Sequence, residues 1–166
     1  MTAKTDFTAD EWQLVYKAAP MVGMAVAASS PSGPLGLVKE MFAVGSSIAD
    51  TLNQRTSNPL INALVDDLKA RGTKPAPPPG IQSIDDARTV ALDSLKQLNS
   101  LLAEKVPGPE ADEFKRWLVG IGQNVAAASS EGGFLGFGGI KVSDAERAVL
   151  AQIAATLGVV AVPREH

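Results

Sequence analysis

The sequence predicts an all-α protein, a compact bundle of about six helices with an internal pseudo-two-fold repeat. Three observations lead to this prediction. Apolar residues recur every three or four positions over most of the 166 residues, which is the spacing of one face of a helix. Proline and glycine divide these segments, and helix-capping residues precede several of them. No segment shows the sustained apolar–polar alternation that is typical of a half-buried strand.

The first predicted helix begins after Thr8. Thr8 and Glu11 have the spacing of a capping box, and Phe7 and Trp12 flank the cap as a hydrophobic staple would. Pro20 lies inside the apolar stripe that follows, so we expect a kink there or two shorter helices.

Two further helices are predicted before the middle of the chain. One apolar stripe covers residues 35–52, and Asn58 then caps a short helix that stops at Gly72. Asp66 and Asp67 on this short helix are expected to be solvated. They are adjacent, so they diverge around the helix and do not form an acid–base pair.

The remaining helices follow a Pro-rich linker at residues 73–80, which the composition predicts to be extended. A long amphipathic helix is predicted over 83–105, and VPGPE at 106–110 separates it from the next. The final helix opens with Ser143 and Glu146, which have the spacing of a second capping box.

Composition excludes several classes of function. The chain has no cysteine, which excludes disulfides, thiolate metal sites and cysteine nucleophiles. Its one histidine is His166, so histidine-based catalysis is not expected. A net charge of −3 and a pI near 5.1 argue against a nucleic-acid surface. The most apolar run, residues 18–28, is too short to span a bilayer. Residues 1–12 lack the apolar core of a signal peptide, and we expect a cytoplasmic protein.

Two pairs of segments indicate an internal repeat. ADEW at 9–12 matches ADEF at 111–114, and AVAASSPSGPLG at 25–36 matches NVAAASSEGGFLG at 124–136. The second member of each pair follows the first by about 100 residues.

We interpret these matches as a duplication within one helical domain that spans residues 1–166. Its halves are roughly 7–72 and 109–160, joined through the linker and the long helix. The duplication predicts two equivalent helical hairpins packed about a pseudo-two-fold axis.

The stretch from 118 to 158 contains LVGIGQNVAAASSEGG and VSDAERAVLAQIAATLG. It resembles the second half of the tellurite-resistance TerB-like family. The resemblance implies an all-helical, internally duplicated fold and acidic residues at the two turns that bind divalent metal. It also implies a link to stress response and to membrane-associated complexes rather than a firm enzymatic activity.

The resemblance assigns three candidate metal ligands. Glu131, Asp144 and Glu146 stand where the family has its acidic residues. In the first half, Pro31 and Ser32 occupy the turn in place of the acid, so the resemblance implies one degenerate site in the C-terminal turn. Carboxylates of this kind suit Mg²⁺, Ca²⁺ or Mn²⁺. Two of these residues have a structural explanation as well, Glu146 as a capping-box partner and Asp144 as a charge that favours the helix dipole.

The glycine-rich segment between these acids is a candidate interaction loop. Its residues Phe134, Leu135 and Phe137 are separated by glycines. They would either close the end of the core or form an apolar patch for a partner protein or a second copy. A P-loop is excluded, because Gly139 is followed by Ile140 and Lys141 rather than by a Gly-Lys-Ser/Thr sequence.

Together these observations favour a non-catalytic, TerB-like interaction or scaffold module in stress response, with an unknown protein partner or self-association and no cofactor. Two alternatives stay open: a divalent-metal-binding protein, and a small-ligand carrier or enzyme with a pocket between the halves. No catalytic or cofactor-binding residues are assigned. Trp12 and Trp117 lie on apolar stripes, and we expect both to anchor the core.

Overall fold

The computed structural model describes residues 1–29, 45, 55–71, 83–130 and 142–160. These residues form one 3₁₀ turn and five α-helices, with no strand among them: the turn Lys4–Asp6, then α1 (Ala9–Ala27), α2 (Pro59–Arg71), α3 (Ile84–Lys105), α4 (Gly108–Ser130) and α5 (Asp144–Leu157). The all-α prediction is therefore confirmed for this part of the chain. The predicted linker at 73–80 lies outside the described residues, as does the 35–52 stripe except for Gly45, which is helical.

The predicted capping signals are present at the start of α1. The Thr8 N–H donates to Glu11 Oε2 at 2.7 Å, and the Glu11 N–H donates to Thr8 Oγ1 at 3.3 Å. The Phe7 and Trp12 ring centroids lie 5.6 Å apart. The capping box and the hydrophobic staple are thus both confirmed, and together they fix the direction in which the chain enters α1.

Pro20 does not divide α1, which continues as one helix to Ala27. The expected alternative of two shorter helices is therefore wrong. Proline leaves one carbonyl of the preceding turn without its helical donor. The residues around it, Ala18, Ala19, Met21 and Val22, are all buried, so packing on either side of Pro20 keeps the helix intact.

The central helix of the bundle is α1. It contacts each of the other four helices, and α3 and α4 are its main neighbours. The Glu11–Lys105 ion pair, at 2.7 Å, places the start of α1 beside the end of α3, so these two helices run antiparallel. Because α4 begins three residues after α3 ends, it returns alongside α1 in the same direction.

The bounds of α3 agree with the predicted range of 83–105, but α4 begins at Gly108, inside the segment 106–110 that was predicted to separate the two helices. Ser83 caps α3 by accepting the Asp86 N–H at 3.0 Å. Residues 106 and 107 separate α3 from α4. Gly158 ends α5 in the left-handed conformation, with φ of +70°, which glycine adopts without a side-chain clash.

The hydrophobic core draws on all five helices. The largest fully buried side chains are two aromatic residues and nine leucines or isoleucines: Trp12, Leu60, Ile61, Leu64, Leu95, Leu98, Leu102, Phe114, Leu118, Ile153 and Leu157. Trp117 is only half-buried; Phe114, one turn earlier, is the aromatic anchor of α4. The prediction that both tryptophans anchor the core is therefore confirmed for Trp12, whereas Trp117 packs against the core but is only partly buried.

Helix α4 comes close to α1 and α5 at Gly122. A Cβ atom at this position would lie 3.0 Å from Val22 Cγ1 and 3.0 Å from Leu150 Cδ2. Real Cβ atoms rarely come so close to a neighbour, and β-branched Val22 has little rotamer freedom within a helix. The absence of a side chain at Gly122 thus sets the distance between three helices.

We expect Gly122→Ala and Gly120→Ala to change stability in opposite directions. Gly120 has no atom of the described chain within 4 Å of its would-be Cβ, so alanine there should stabilise the protein by about 0.5–1 kcal/mol through helix propensity. At Gly122 the same gain is outweighed by overpacking, which costs about 1–3 kcal/mol, for a net loss of about 1 kcal/mol. Urea unfolding of the two variants measures both values, and equal stabilisation would contradict the close approach.

Candidate functional site

The predicted C-terminal turn is anchored by Ser143 and Glu146. Glu146 Oε2 accepts hydrogen bonds from the Ser143 N–H and hydroxyl, both at 2.8 Å, and the Glu146 N–H donates to Ser143 Oγ at 3.2 Å. The Glu146 side chain is buried. The second capping box is therefore confirmed, and the Glu146 carboxylate is held against the start of its own helix.

The other candidate metal ligands are placed differently. Asp144 is exposed and forms an ion pair with Arg147, three residues later. Glu131 lies outside the described residues. Within the described ranges, no group of three or more His, Cys, Asp or Glu side chains is arranged to hold a metal ion. Because Glu131 is not among the residues that the structure describes, a metal site in this turn stays a prediction.

The predicted interaction loop cannot be placed. Phe134, Leu135 and Phe137 all lie outside the described residues, so whether they are buried or exposed stays a prediction. The chain re-enters the described structure at Val142, which is partly buried and packs against the core.

The main polar site of the bundle centres on Asp67, where the sequence predicted a solvated side chain. Asp66 is indeed exposed, but the Asp67 side chain is only 9% exposed. It accepts the Trp12 indole N–H at 2.9 Å and the Arg71 Nε–H at 2.9 Å, and it forms an ion pair with Lys4. The prediction for Asp67 is therefore wrong, because this carboxylate lies at the edge of α2 that faces α1.

Two cations cover aromatic rings beside Asp67. Lys4 Nζ lies 5.9 Å from the Trp12 ring centroid, and the Arg71 guanidinium carbon lies 4.9 Å from the Tyr16 ring centroid. Trp12 and Tyr16 are one turn apart on α1, so the two pairs stack along the same face. Both cations also bind Asp67, which places them where cation–π attraction adds to the ion pairs.

The hydrogen bonds to Asp67 change its acidity. Burial raises the pKa of the Asp67 carboxyl, but hydrogen bonds from Lys4, Trp12 and Arg71 favour the ionised form. The donors outweigh burial, and the pKa lies below its ordinary value. The carboxylate is therefore ionised at neutral pH and acts as an acceptor that joins the N-terminal residues, α1 and α2.

A second polar cluster joins the starts of α2 and α4. Asn58 Oδ1 accepts the Ile61 N–H at 3.0 Å, which confirms Asn58 as the cap of α2. Its amide nitrogen donates to the Glu110 carbonyl at 2.8 Å and to Glu113 Oε2 at 3.2 Å. Glu110 Oε1 in turn accepts the Leu60 N–H at 3.2 Å. Carboxylates of α4 thus lie at the N-terminus of α2, where the helix dipole favours negative charge.

The geometry of these two clusters indicates that they stabilise the fold. In each, the buried polar atoms are paired with groups from another helix, and each cluster ties α2 to a long helix. The sequence contained one signal for the Asp67 cluster: a buried tryptophan needs an acceptor for its indole N–H. The acceptor is Asp67, 55 residues away in the sequence. This pairing depends on the packing of α2 against α1, which local sequence patterns do not predict.

No protein-family model, no curated protein and no solved structure matches this chain. No helix among the described residues is long and apolar enough to cross a membrane.

We expect Asp67→Asn to destabilise the protein far more than Asp66→Asn. Hydrogen bonds to a charged group contribute about 1.5–3 kcal/mol, and the asparagine variant weakens three of them at a buried position. We therefore expect a loss of about 1–3 kcal/mol for Asp67→Asn. Asp66 forms an exposed ion pair with Arg55 at 3.6 Å. The Asp66→Asn variant should therefore lose less than about 0.5 kcal/mol of unfolding free energy. Denaturant unfolding tests this, and equal losses would contradict the cluster.

The stabilising effect of Asp67 should disappear in acid. Its folded-state pKa lies below the unfolded value of about 3.8, so its contribution is complete above the unfolded pKa and is lost as the pH falls through the folded pKa. The difference in unfolding free energy between the wild type and Asp67→Asn should therefore be constant above about pH 5 and shrink below about pH 4. A difference that is constant down to pH 2 would contradict the depressed pKa.

Proposed function

We propose that this chain is a non-catalytic helical module that acts through protein contacts. The observation that carries the proposal is the use of its buried polar side chains. Asp67, Asn58 and Glu146 each bind groups within the chain that hold helices together or cap them. These side chains therefore stabilise the helical scaffold. The function is then expected to reside on surfaces and loops that the scaffold presents.

The TerB-like character of the module is part of the proposal. It is supported by the resemblance over residues 118–158 and by the capped start of α5 at Ser143, which matches the acidic helix opening of that family. A role in stress response and a cytoplasmic location rest on the same resemblance and on the absence of cysteine from the sequence.

An internal duplication is proposed for the same reasons, and the packing of α1 beside α4 supports it. Val22 of α1 meets Gly122 of α4, an offset that agrees with the offset between the matching segments. Trp12 of α1 and Phe114 of α4, which occupy matching positions in the two segments, are both fully buried. A sixth helix around residues 35–52 is supported by the helical Gly45.

The interaction residues in this proposal are Phe134, Leu135 and Phe137. Their segment immediately precedes α5, whose first turn is fixed by Ser143 and Glu146. The partner is another protein or a second copy of this chain.

Replacing Phe134 and Phe137 together with alanine tests the interaction loop. If both rings form a binding patch, the double variant should keep its stability within about 1 kcal/mol and lose the partner or the self-association. Quantitative co-purification and sedimentation velocity measure the binding. A loss of about 3 kcal/mol or more, with binding unchanged, would show that the rings belong to the core and would contradict the proposal.

A metal titration tests the alternative that the C-terminal turn binds a divalent cation. We expect the melting temperature to be unchanged by Mg²⁺, Ca²⁺ or Mn²⁺, because Glu146 is engaged by Ser143 and Asp144 by Arg147. A bound ion at 100 times its dissociation constant would add about 2.7 kcal/mol, a shift of several degrees. A shift that disappears in Glu131→Gln and in Asp144→Asn would overturn the non-metal assignment.

A further inference from the structure

Residues 1–7, here called the N-terminal strap, are attached to the bundle by side chains. Their backbone hydrogen bonds within the described chain are internal: the Asp6 N–H donates to the Ala3 carbonyl at 3.0 Å, and the Phe7 N–H donates to the Lys4 carbonyl at 3.2 Å. Within the described residues, the strap therefore shares no backbone–backbone hydrogen bond with the helices it covers. It can leave the bundle without breaking any helix.

Two lysines provide the charged attachments of the strap. Lys4 Nζ pairs with Asp67 Oδ1 on α2, and its side chain is 47% exposed. Lys105 on α3 donates to the Asp6 carbonyl at 3.4 Å while it also pairs with Glu11 at 2.7 Å. These contacts lie at the boundary with solvent, where water and salt compete with ion pairs.

The apolar attachments of the strap are small. Phe7 is 8% exposed and packs on Trp12, and Thr2 is 6% exposed. The packing of Phe7 on Trp12 and the Lys4–Asp67 ion pair are therefore the main contacts that hold the strap closed.

The bundle beneath the strap is held independently of it. When Lys4 leaves, Asp67 still accepts hydrogen bonds from Trp12 and Arg71, so α1 and α2 stay joined. Glu11 likewise keeps its capping bond to Thr8 and its pair with Lys105. Opening would thus uncover one face of the Trp12 ring without dismantling the helices.

We propose that the N-terminal strap opens and closes over Trp12 while the helical bundle remains folded, with the Lys4–Asp67 ion pair as its latch. The strap is then a conformational device that covers or uncovers an aromatic surface, and its opening responds to ionic strength. Sub-global opening of this kind occurs at a free energy below that of global unfolding.

Cysteine labelling tests the proposal directly, because the natural chain contains no cysteine. Thr2→Cys places one thiol in the buried part of the strap. Ala25→Cys places one in α1, at a position with 0% exposure, where labelling requires global unfolding. The probe is a thiol-reactive disulfide reagent added to the folded protein, and circular dichroism verifies that each variant is folded. If Ala25→Cys does not fold, Ala18→Cys at 1% exposure replaces it.

We expect the thiol of folded Thr2→Cys to react at least about 100-fold faster than the thiol of folded Ala25→Cys, because the strap opens without global unfolding. We also expect it to react at least about 10-fold slower than the same thiol in denaturant, because the strap is closed most of the time. Reaction at the rate of the buried α1 thiol would show that the strap opens only with the whole protein. Reaction at the denaturant rate would show that it does not close. Either result would overturn the proposal.

The latch is tested by Lys4→Gln in the Thr2→Cys background, with Lys17→Gln as the matched control, because Lys17 is exposed on α1. Lys4→Gln should raise the labelling rate by about tenfold, the factor expected when about 1.4 kcal/mol of interaction is lost. Lys17→Gln should leave it unchanged. Raising the salt to 1 M should accelerate labelling only when Lys4 is present. Equal rates for the two glutamine variants would refute the latch.

Discussion

Burial of α1 among the other four helices is the constraint on which the rest of this structure depends. A helix surrounded by others needs apolar side chains on nearly all sides, and small side chains where a neighbouring helix comes close. The sequence of α1 meets both conditions, with buried Val15, Met21, Val22 and Val26 between alanines. Its charged residues are confined to the first turn and to Lys17. The same constraint explains why Pro20 is tolerated, because packing replaces the stability of the missing backbone hydrogen bond.

The polar clusters follow from this arrangement. Burying Trp12 at the start of α1 requires an acceptor for its indole N–H, and Asp67 of α2 supplies it. Asp67 in turn requires positive charge, which Arg71 and Lys4 provide. At the next corner of the bundle, Asn58 joins α2 to α4 through Glu110 and Glu113. The short helix α2 is thus fixed at both ends by hydrogen bonds that the buried positions demand.

The accuracy of the sequence predictions follows the range of the interactions involved. The capping boxes at Thr8 and Ser143 and the cap at Asn58 depend on residues within four positions, and all three were predicted from the sequence. The role of Asp67 depends on a contact with Trp12 across 55 residues, and it was missed. The candidate metal site shows the same limit. The spacing of Ser143 and Glu146 predicted the helix cap, but whether Glu146 lies near Glu131 depends on tertiary packing, which sequence spacing does not determine.

Native-state hydrogen exchange of the α1 amides tests the central claim most directly. If α1 is the helix around which the bundle forms, the amides of Val15, Met21, Val22 and Val26 should exchange only through global unfolding, with the highest protection in the chain. Their exchange free energies should equal the unfolding free energy measured with denaturant, and the exposed side of α3 should exchange more readily. Faster exchange in α1 than in α3 and α4 would show that the bundle persists without its central helix and would contradict this account.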